Sequence, residues 1–186
     1  QSAAHMADGF GRVSRKPGVC FATSGPGATN ILTGLATAQA DSAPMVAVTG
    51  QVPVAMIGKD AFQESDIIGM ANPVVKYSFQ PRLPGEVPES VRKGFYIAET
   101  GRPGPVLLDI PKDVQQNEAP MDFPDEFKIQ GYHPWNDPDI TSVEKAIDML
   151  LNSEKPIILA GGGTIISSAF AELQSIAETL MLPVVT

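Results

Sequence analysis

Val19-Cys20-Phe21-Ala22-Thr23-Ser24 runs directly into Gly25-Pro26-Gly27-Ala28-Thr29-Asn30, and the join between the two decides the fold class. The first six residues form an apolar run bounded by turn formers, which reads as a buried strand. Two glycines around a proline make a turn without bulk, where backbone can approach a ligand closely. Ile31, Leu32 and Leu35 then give the next segment an apolar helical face, expected to reach Gln39. Strand, glycine turn and helix in that order form the usual ligand position of an open α/β sheet. Asn30 stands where a dinucleotide fingerprint needs its third glycine, and the lysine of a phosphate loop is missing. Spacing alone is equally consistent with a tight turn that binds nothing.

The same alternation continues on both sides. Ala3, Ala4, Met6, Ala7 and Phe10 recur at helical spacing, so residues 1–14 read as a helix that ends at Lys16-Pro17-Gly18. Gly9 and Gly11 would weaken it in isolation, which points to close packing. Met45 to Thr49 is a second buried strand, Gln51 to Asp66 an irregular surface segment, and Val74 to Phe79 a short strand. A helix from Val87 to Ala98 precedes the strand Val106 to Ile110. Strands alternating with helices predict an α/β parallel sheet flanked by helices. From Pro111 to Asp139 proline, acidic residues and aromatics follow no period, as in a linker, with Tyr132 and Trp135 expected to anchor it.

A second unit starts near Thr141, where Thr141 and Glu144 are spaced as a capping box. Its helix reaches Leu150. The strand Pro156 to Ala160, a turn at Gly161, Gly162 and Gly163, the helix Ala169 to Leu180 and a strand at Val184 follow. One βα unit cannot cover both faces of a parallel strand pair, so this domain is expected to be truncated. The divisions are 1–114 for the first domain, lacking its first elements, 115–140 for the linker and 141–186 for the start of a Rossmann-like α/β domain.

Composition narrows the function. Of 186 residues, 43% are hydrophobic and 18% charged, the profile of a soluble globular protein. A net charge of −8 leaves no basic stripe for nucleic acid. The single cysteine, Cys20, lies in the apolar strand and reads as a buried inert thiol. His5 and His133 have no metal-ligand spacing, so no metal site is expected here. No apolar run approaches the ~18 residues of a membrane span, and no targeting peptide is visible, so a cytoplasmic location is expected.

Six segments carry more than pattern: Gln1 to Phe10, Thr23 to Asn30, Thr49-Gly50-Gln51-Val52-Pro53, Gly58-Lys59-Asp60-Ala61-Phe62-Gln63-Glu64, Gly101-Arg102-Pro103-Gly104-Pro105-Val106 and Asp109-Ile110-Pro111-Lys112-Asp113. In their residues, order and spacing the chain resembles the large catalytic subunits of acetohydroxyacid synthase (acetolactate synthase), a thiamine diphosphate family. The likeness covers most of residues 1–115 and returns at Lys155-Pro156 and the triple glycine. It implies a pyrimidine-domain fold followed by the opening of an FAD-associated domain. The implied cofactors are thiamine diphosphate, FAD and Mg2+, with the metal site outside this sequence. It also implies pyruvate and a second 2-oxo acid as substrates, joined to 2-acetolactate or 2-aceto-2-hydroxybutyrate for branched-chain amino-acid synthesis. A homodimer or dimer of dimers, with a small regulatory subunit, is the implied assembly.

Residue roles follow from the same resemblance. The family glutamate that activates the cofactor falls immediately before Gln1, so residues 1–186 alone are expected to be inactive. Pro26, Asn30 and Gln63 match positions at the thiamine ring, and Gln63 also reaches the reacting intermediate. Without the family, Pro26 shapes a turn and Asn30 caps a helix. Phe62 and Lys76 match substrate positions, although Lys76 also suits a solvated strand face. Pro53 matches the channel entrance. Ser42, Arg102, Gly161, Gly162 and Gly163 match the FAD site, although Ile166 breaks the dinucleotide fingerprint. Another thiamine diphosphate carboligase or decarboxylase, such as glyoxylate carboligase or pyruvate oxidase, is an alternative. So is a non-catalytic nucleotide-binding or assembly module.

Overall fold

The computed structural model describes all residues of the chain except Met121, Asp125, Trp135 and Asn136. Trp135, expected to anchor the linker, therefore lies outside the described residues. Contacts divide the chain into Gln1–Trp135 and Asn136–Thr186. The first unit runs α1 (Ser2–Ser14), β1 (Gly18–Ala22), α2 (Pro26–Asn30), α3 (Leu32–Ala40), β2 (Met45–Gln51), α4 (Ile67–Ala71), β3 (Tyr77–Phe79), α5 (Val87–Glu99), β4 (Pro105–Pro111) and α6 (Lys112–Gln116). The four strands form one parallel sheet in the order β1-β2-β4-β3.

Burial explains why β2 and β4 read as nearly unbroken apolar runs: both are central, and helices cover both faces. Alternate residues point to opposite faces of the sheet. Met45, Ala47 and Leu107 join Leu35, Ile31 and Ile67 on one face, together with α1 and α3. Val46, Val106 and Leu108 join Ile97 and Ala98 of α5 on the other. Each large apolar side chain removed from water in these layers contributes about 1.5–3 kcal/mol.

The elements differ from expectation where local chemistry intervenes. The helix expected to follow the glycine turn and reach Gln39 is instead two, α2 and α3, which part at Ile31, and α2 already begins at Pro26 within the turn. The strand expected from Val74 begins only at Tyr77, because Asn72–Val74 form a 3-10 turn around Pro73, which has no N–H for a ladder. Gly11 does pack closely, since a Cβ there would stand 2.4 Å from the Pro44 carbonyl oxygen, whereas a Cβ on Gly9 would meet nothing within 4 Å. The expected linker, 115–140, is divided between the units, and its larger part belongs to the first: Ile129 and Tyr132 pack on the α5 side, and the Phe127 ring meets Tyr96 edge-on at 5.4 Å.

In the second unit α7 (Ile140–Leu151), β5 (Ile158–Leu159), α8 (Gly162–Ile166), α9 (Phe170–Thr179) and β6 (Val184–Val185) follow, with β5 and β6 parallel. The cap of α7 is Asp139, whose carboxylate accepts the Thr141 N–H at 3.2 Å, in place of the expected Thr141 and Glu144 pair. Gly162 and Gly163 open α8, with Gly161 as its cap, where a free turn was expected. No described helix is long and apolar enough to cross a membrane.

The tightest helix–sheet approach is at Gly18, where a Cβ would lie 2.0 Å from the Ala7 carbonyl oxygen on α1. Backbone cannot yield as a flexible side chain does. Gly18→Ala is expected to lower stability by about 1–3 kcal/mol, read as a lower urea midpoint with unchanged slope.

Candidate functional site

The carboxyl ends of parallel strands leave backbone groups and loops free to build a site. A cavity of about 400 Å³ lies there, lined among others by Thr23, Ser24, Thr49, Gln51, Lys112 and Gln115. Thr23 and Ser24 lead into the Gly-Pro-Gly turn. Gly25 has φ 60° and ψ −120°, a conformation that glycine alone adopts freely. A Cβ on Gly25 would stand 2.7 Å from the Gln63 carbonyl oxygen and 3.0 Å from its Cα. The bare turn thus admits a distant loop of the same chain, so residues 38 positions apart in sequence share one locality. Pro26 follows Gly25 directly, and Asn30 ends the same short helix one turn later; both are exposed.

The Gly58–Glu64 loop is built to hold an unusual shape. Gly58, Asp60 and Gln63 all have positive φ, at 81°, 53° and 58°. Such residues persist where the surroundings over-determine them. The Glu64 carboxylate folds back and accepts the backbone N–H groups of Gly58 and of Ala61, the latter at 2.8 Å. These bonds, from Gly58 first and then Ala61, hold its carboxyl below the usual range. Phe62 stands 89% exposed at the tip, an arrangement that a side chain serving only to pack would not take.

Beneath the loop the sheet carries a polar centre. Residues 45, 47, 49 and 51 share one face of β2, so an apolar face turns polar toward its carboxyl end. Thr49 lies directly opposite Asp109 in the β2–β4 register. Asp109 is fully buried. Its carboxylate accepts Thr49 Oγ1 at 2.7 Å, Gln80 Nε2 at 2.7 Å and Gln51 Nε2 at 3.0 Å. Burial pushes this carboxyl above its ordinary value, against the pull of the three donors. Sequence reasoning placed Thr49, Gln51 and Asp109 in strands or matched segments and gave them no role. The available signal was a carboxylate between Leu108 and Ile110, which burial makes costly without partners.

Other expected site residues lie elsewhere. Lys76 precedes β3, at the amino-terminal end of the sheet. Its Nζ donates to the carbonyls of Ile97 and Thr100, the latter at 2.7 Å, and to Tyr132 Oη at 3.1 Å. Burial pushes its pKa down to about 8. The structure therefore does not bring Lys76 to Gln63; it makes the lysine a tie between the end of α5 and Tyr132. Arg102 and Ser42 do meet, also near the amino-terminal end: Arg102 Nε donates to Ser42 Oγ at 2.7 Å and its NH2 group to the Ala40 carbonyl at 3.1 Å. Pro53 caps the 3-10 turn Val54–Met56 beyond β2, where Val54 N–H donates to Asp113 at 3.1 Å. Cys20 is buried, and burial raises its thiol to about 11, which suits an inert core residue. In the second unit Gly161, Gly162 and Gly163 face open space.

Pro26, Asn30 and Gln63 are not among the residues that line the 400 Å³ cavity. Pro26 offers a flat apolar surface, and Asn30 and Gln63 offer amide donors and acceptors, the mix a planar heteroaromatic ring needs. Among the described residues no group of three or more His, Cys, Asp or Glu side chains gathers to hold a cation.

Residues 1–70 match the family model of the thiamine pyrophosphate enzyme N-terminal TPP binding domain, and residues 143–186 that of the thiamine pyrophosphate enzyme central domain. The whole chain is 51% identical to a probable acetolactate synthase large subunit of Methanococcus aeolicus, covering 32% of that protein. It is 46% identical to the acetolactate synthase large subunit of Corynebacterium glutamicum, covering 30% of it, and 48% identical to that of Cyanidium caldarium, covering 32%. The chain thus spans about a third of the length of these relatives.

The raised Asp109 carboxyl has a signed consequence. Between its ordinary 3.8 and the raised folded value, the folded chain keeps a proton that the unfolded chain has released. Its contribution to stability is complete below 3.8 and is lost as pH rises through the folded value. Asp109→Asn removes this titration, so its stability should fall less than that of the unaltered chain as pH rises from 3.8, measured by urea unfolding across the acid range. Lys76→Met should cost about 1–3 kcal/mol in the same assay by leaving acceptors without their donor.

Proposed function

We propose that this chain, which belongs to the thiamine pyrophosphate enzyme family, is the pyrimidine-binding part of an acetolactate synthase large subunit. The parent protein decarboxylates pyruvate and joins the two-carbon unit to a second 2-oxo acid, in branched-chain amino-acid biosynthesis in the cytoplasm. It acts as a homo-oligomer, with a small regulatory subunit as partner. Bound thiamine diphosphate supplies the carbon nucleophile for this chemistry.

What this chain adds is binding and orientation. Pro26 meets the face of the aminopyrimidine, and Asn30 and Gln63 hydrogen-bond its edge. Phe62 forms an apolar wall for substrate, and Pro53 borders the approach to it. Lys76 is assigned to substrate by its match to a substrate position, with its amine held by the Ile97 and Thr100 carbonyls and Tyr132 Oη. Ser42 and Arg102 in the first unit are assigned to FAD, to which a guanidinium offers both stacking and phosphate contact. Gly161, Gly162 and Gly163 in the second unit are assigned to the same cofactor. Mg2+ binds outside these residues. The observation that carries the reading is the contact of Gly25 with Gln63, which gathers the turn and the loop into one locality. The identity of 46–51% along the whole chain to acetolactate synthase large subunits supports it.

The full-length protein, loaded with thiamine diphosphate and Mg2+ and given pyruvate, is expected to form 2-acetolactate; acetaldehyde or acetyl phosphate as sole product would overturn the reading. Gln63→Ala in that protein should weaken thiamine diphosphate binding and lower kcat/KM about a hundredfold. Residues 1–186 alone should show no carboligation under the same conditions.

A further inference from the structure

The Gln51 amide has every hydrogen-bonding group engaged. Its Nε2 donates to Asp109 Oδ2 and to the Ser65 carbonyl, each at 3.0 Å, and its Oε1 accepts the Val52 N–H at 2.9 Å. The residue is 5% exposed. The carboxylate sets the direction of the amide, because a flipped amide would turn its oxygen toward Asp109 and leave both acceptors without a donor. One side chain thus ties the end of β2 and a buried carboxylate on β4 to a backbone carbonyl in the loop. That carbonyl belongs to Ser65, two residues beyond Gln63, and it also accepts Ile67 N–H at 2.8 Å.

The loop is fixed at three places. Glu64 closes it on Gly58 and Ala61, Gly25 receives the backbone of Gln63, and Gln51 pins Ser65. Glu64 acts within the loop, and Gly25 adds contact without a hydrogen bond. Gln51 alone among these links the loop to the rigid centre of the sheet. A left-handed Gln63 two residues away depends on such outside support.

We infer that Gln51 is a positioning residue for Gln63: anchored on Asp109, it holds the Ser65 carbonyl and so keeps the loop in the shape that presents Phe62 and Gln63. The inference deepens the proposed function and rests on Gln63 contacting the thiamine cofactor. Gln80 supplies a natural control, since it donates to the same Asp109 oxygen and, among the described residues, makes no side-chain hydrogen bond to the loop.

The test is a double-mutant cycle in the full-length protein with thiamine diphosphate, Mg2+ and pyruvate. Gln51→Met keeps the length of the side chain and removes the amide. It should lower kcat/KM about tenfold in the otherwise unaltered protein and less than twofold when Gln63→Ala is already present, because the two residues act through one loop. Equal losses in both backgrounds, or a loss below twofold from Gln51→Met alone, would overturn the inference. No effect of Gln63→Ala on turnover or cofactor binding would overturn the proposed site instead. A second readout needs no cofactor: amide hydrogen exchange in residues 58–65 should quicken at least tenfold in Gln51→Met and stay unchanged in Gln80→Met. Equal exchange in the two variants would overturn the inference. Should Gln51→Met not fold, Gln51→Asn, which keeps the amide but lacks the reach, is held to the same criteria.

Discussion

A carboxylate sealed inside a parallel sheet constrains everything around it. Asp109 has no exposed surface, and its hydrogen bonds come from neutral donors on neighbouring strands and loops. An ion in that position must be satisfied or neutralised, so the donors cannot be placed freely. Thr49 has to stand opposite it in register, Gln51 must reach back from the strand end, and Gln80 must approach from beyond β3. One buried charge therefore ties β2, β4 and the segment after β3 into one rigid platform. Polar networks of this kind are costly when partly satisfied and rigidify a core when complete.

The platform lies where the loop needs it. Below residue 48 the β2 face that packs on α3 and α4 is apolar and supplies core; at Thr49 and Gln51 the same face turns polar and supplies anchors. Stability and presentation of the site are in this way divided along a single strand. The glycine turn completes the arrangement from the other side. Its freedom from bulk, read from sequence as access for a ligand, is used first by the chain itself, since the Gln63 backbone occupies the space beside Gly25. Pro26, Asn30 and Gln63, the groups proposed to face the ligand, are then the exposed outer layer of a contact made by backbone.

The second unit reads differently. α7 carries Val143 and Ile147 more than two-fifths exposed, and β5 and β6 are each two residues long. Amphipathic helices beside such a short strand pair have apolar surface in excess of what the pair can cover.

Local chemistry made much of this legible in advance. Apolar runs of strand length, glycine turns and helical spacing were enough for the alternation of elements and the parallel sheet, because burial on both faces writes itself into the central strands as unbroken hydrophobicity. The six matched segments were enough for the family, and for Pro26, Asn30 and Gln63 as residues to examine. Tertiary structure alone decided the rest. Lys76 matches a substrate position of the family, yet its amine is spent on the end of α5, since strand direction sends it to the far end of the sheet from Gln63. Thr49, Gln51, Gln80 and Asp109 are scattered over 61 positions and become one network only when β2 and β4 pair in register. Periodicity reports which face a residue occupies; it carries no information on what stands across from it, and hydrogen bonds are made across.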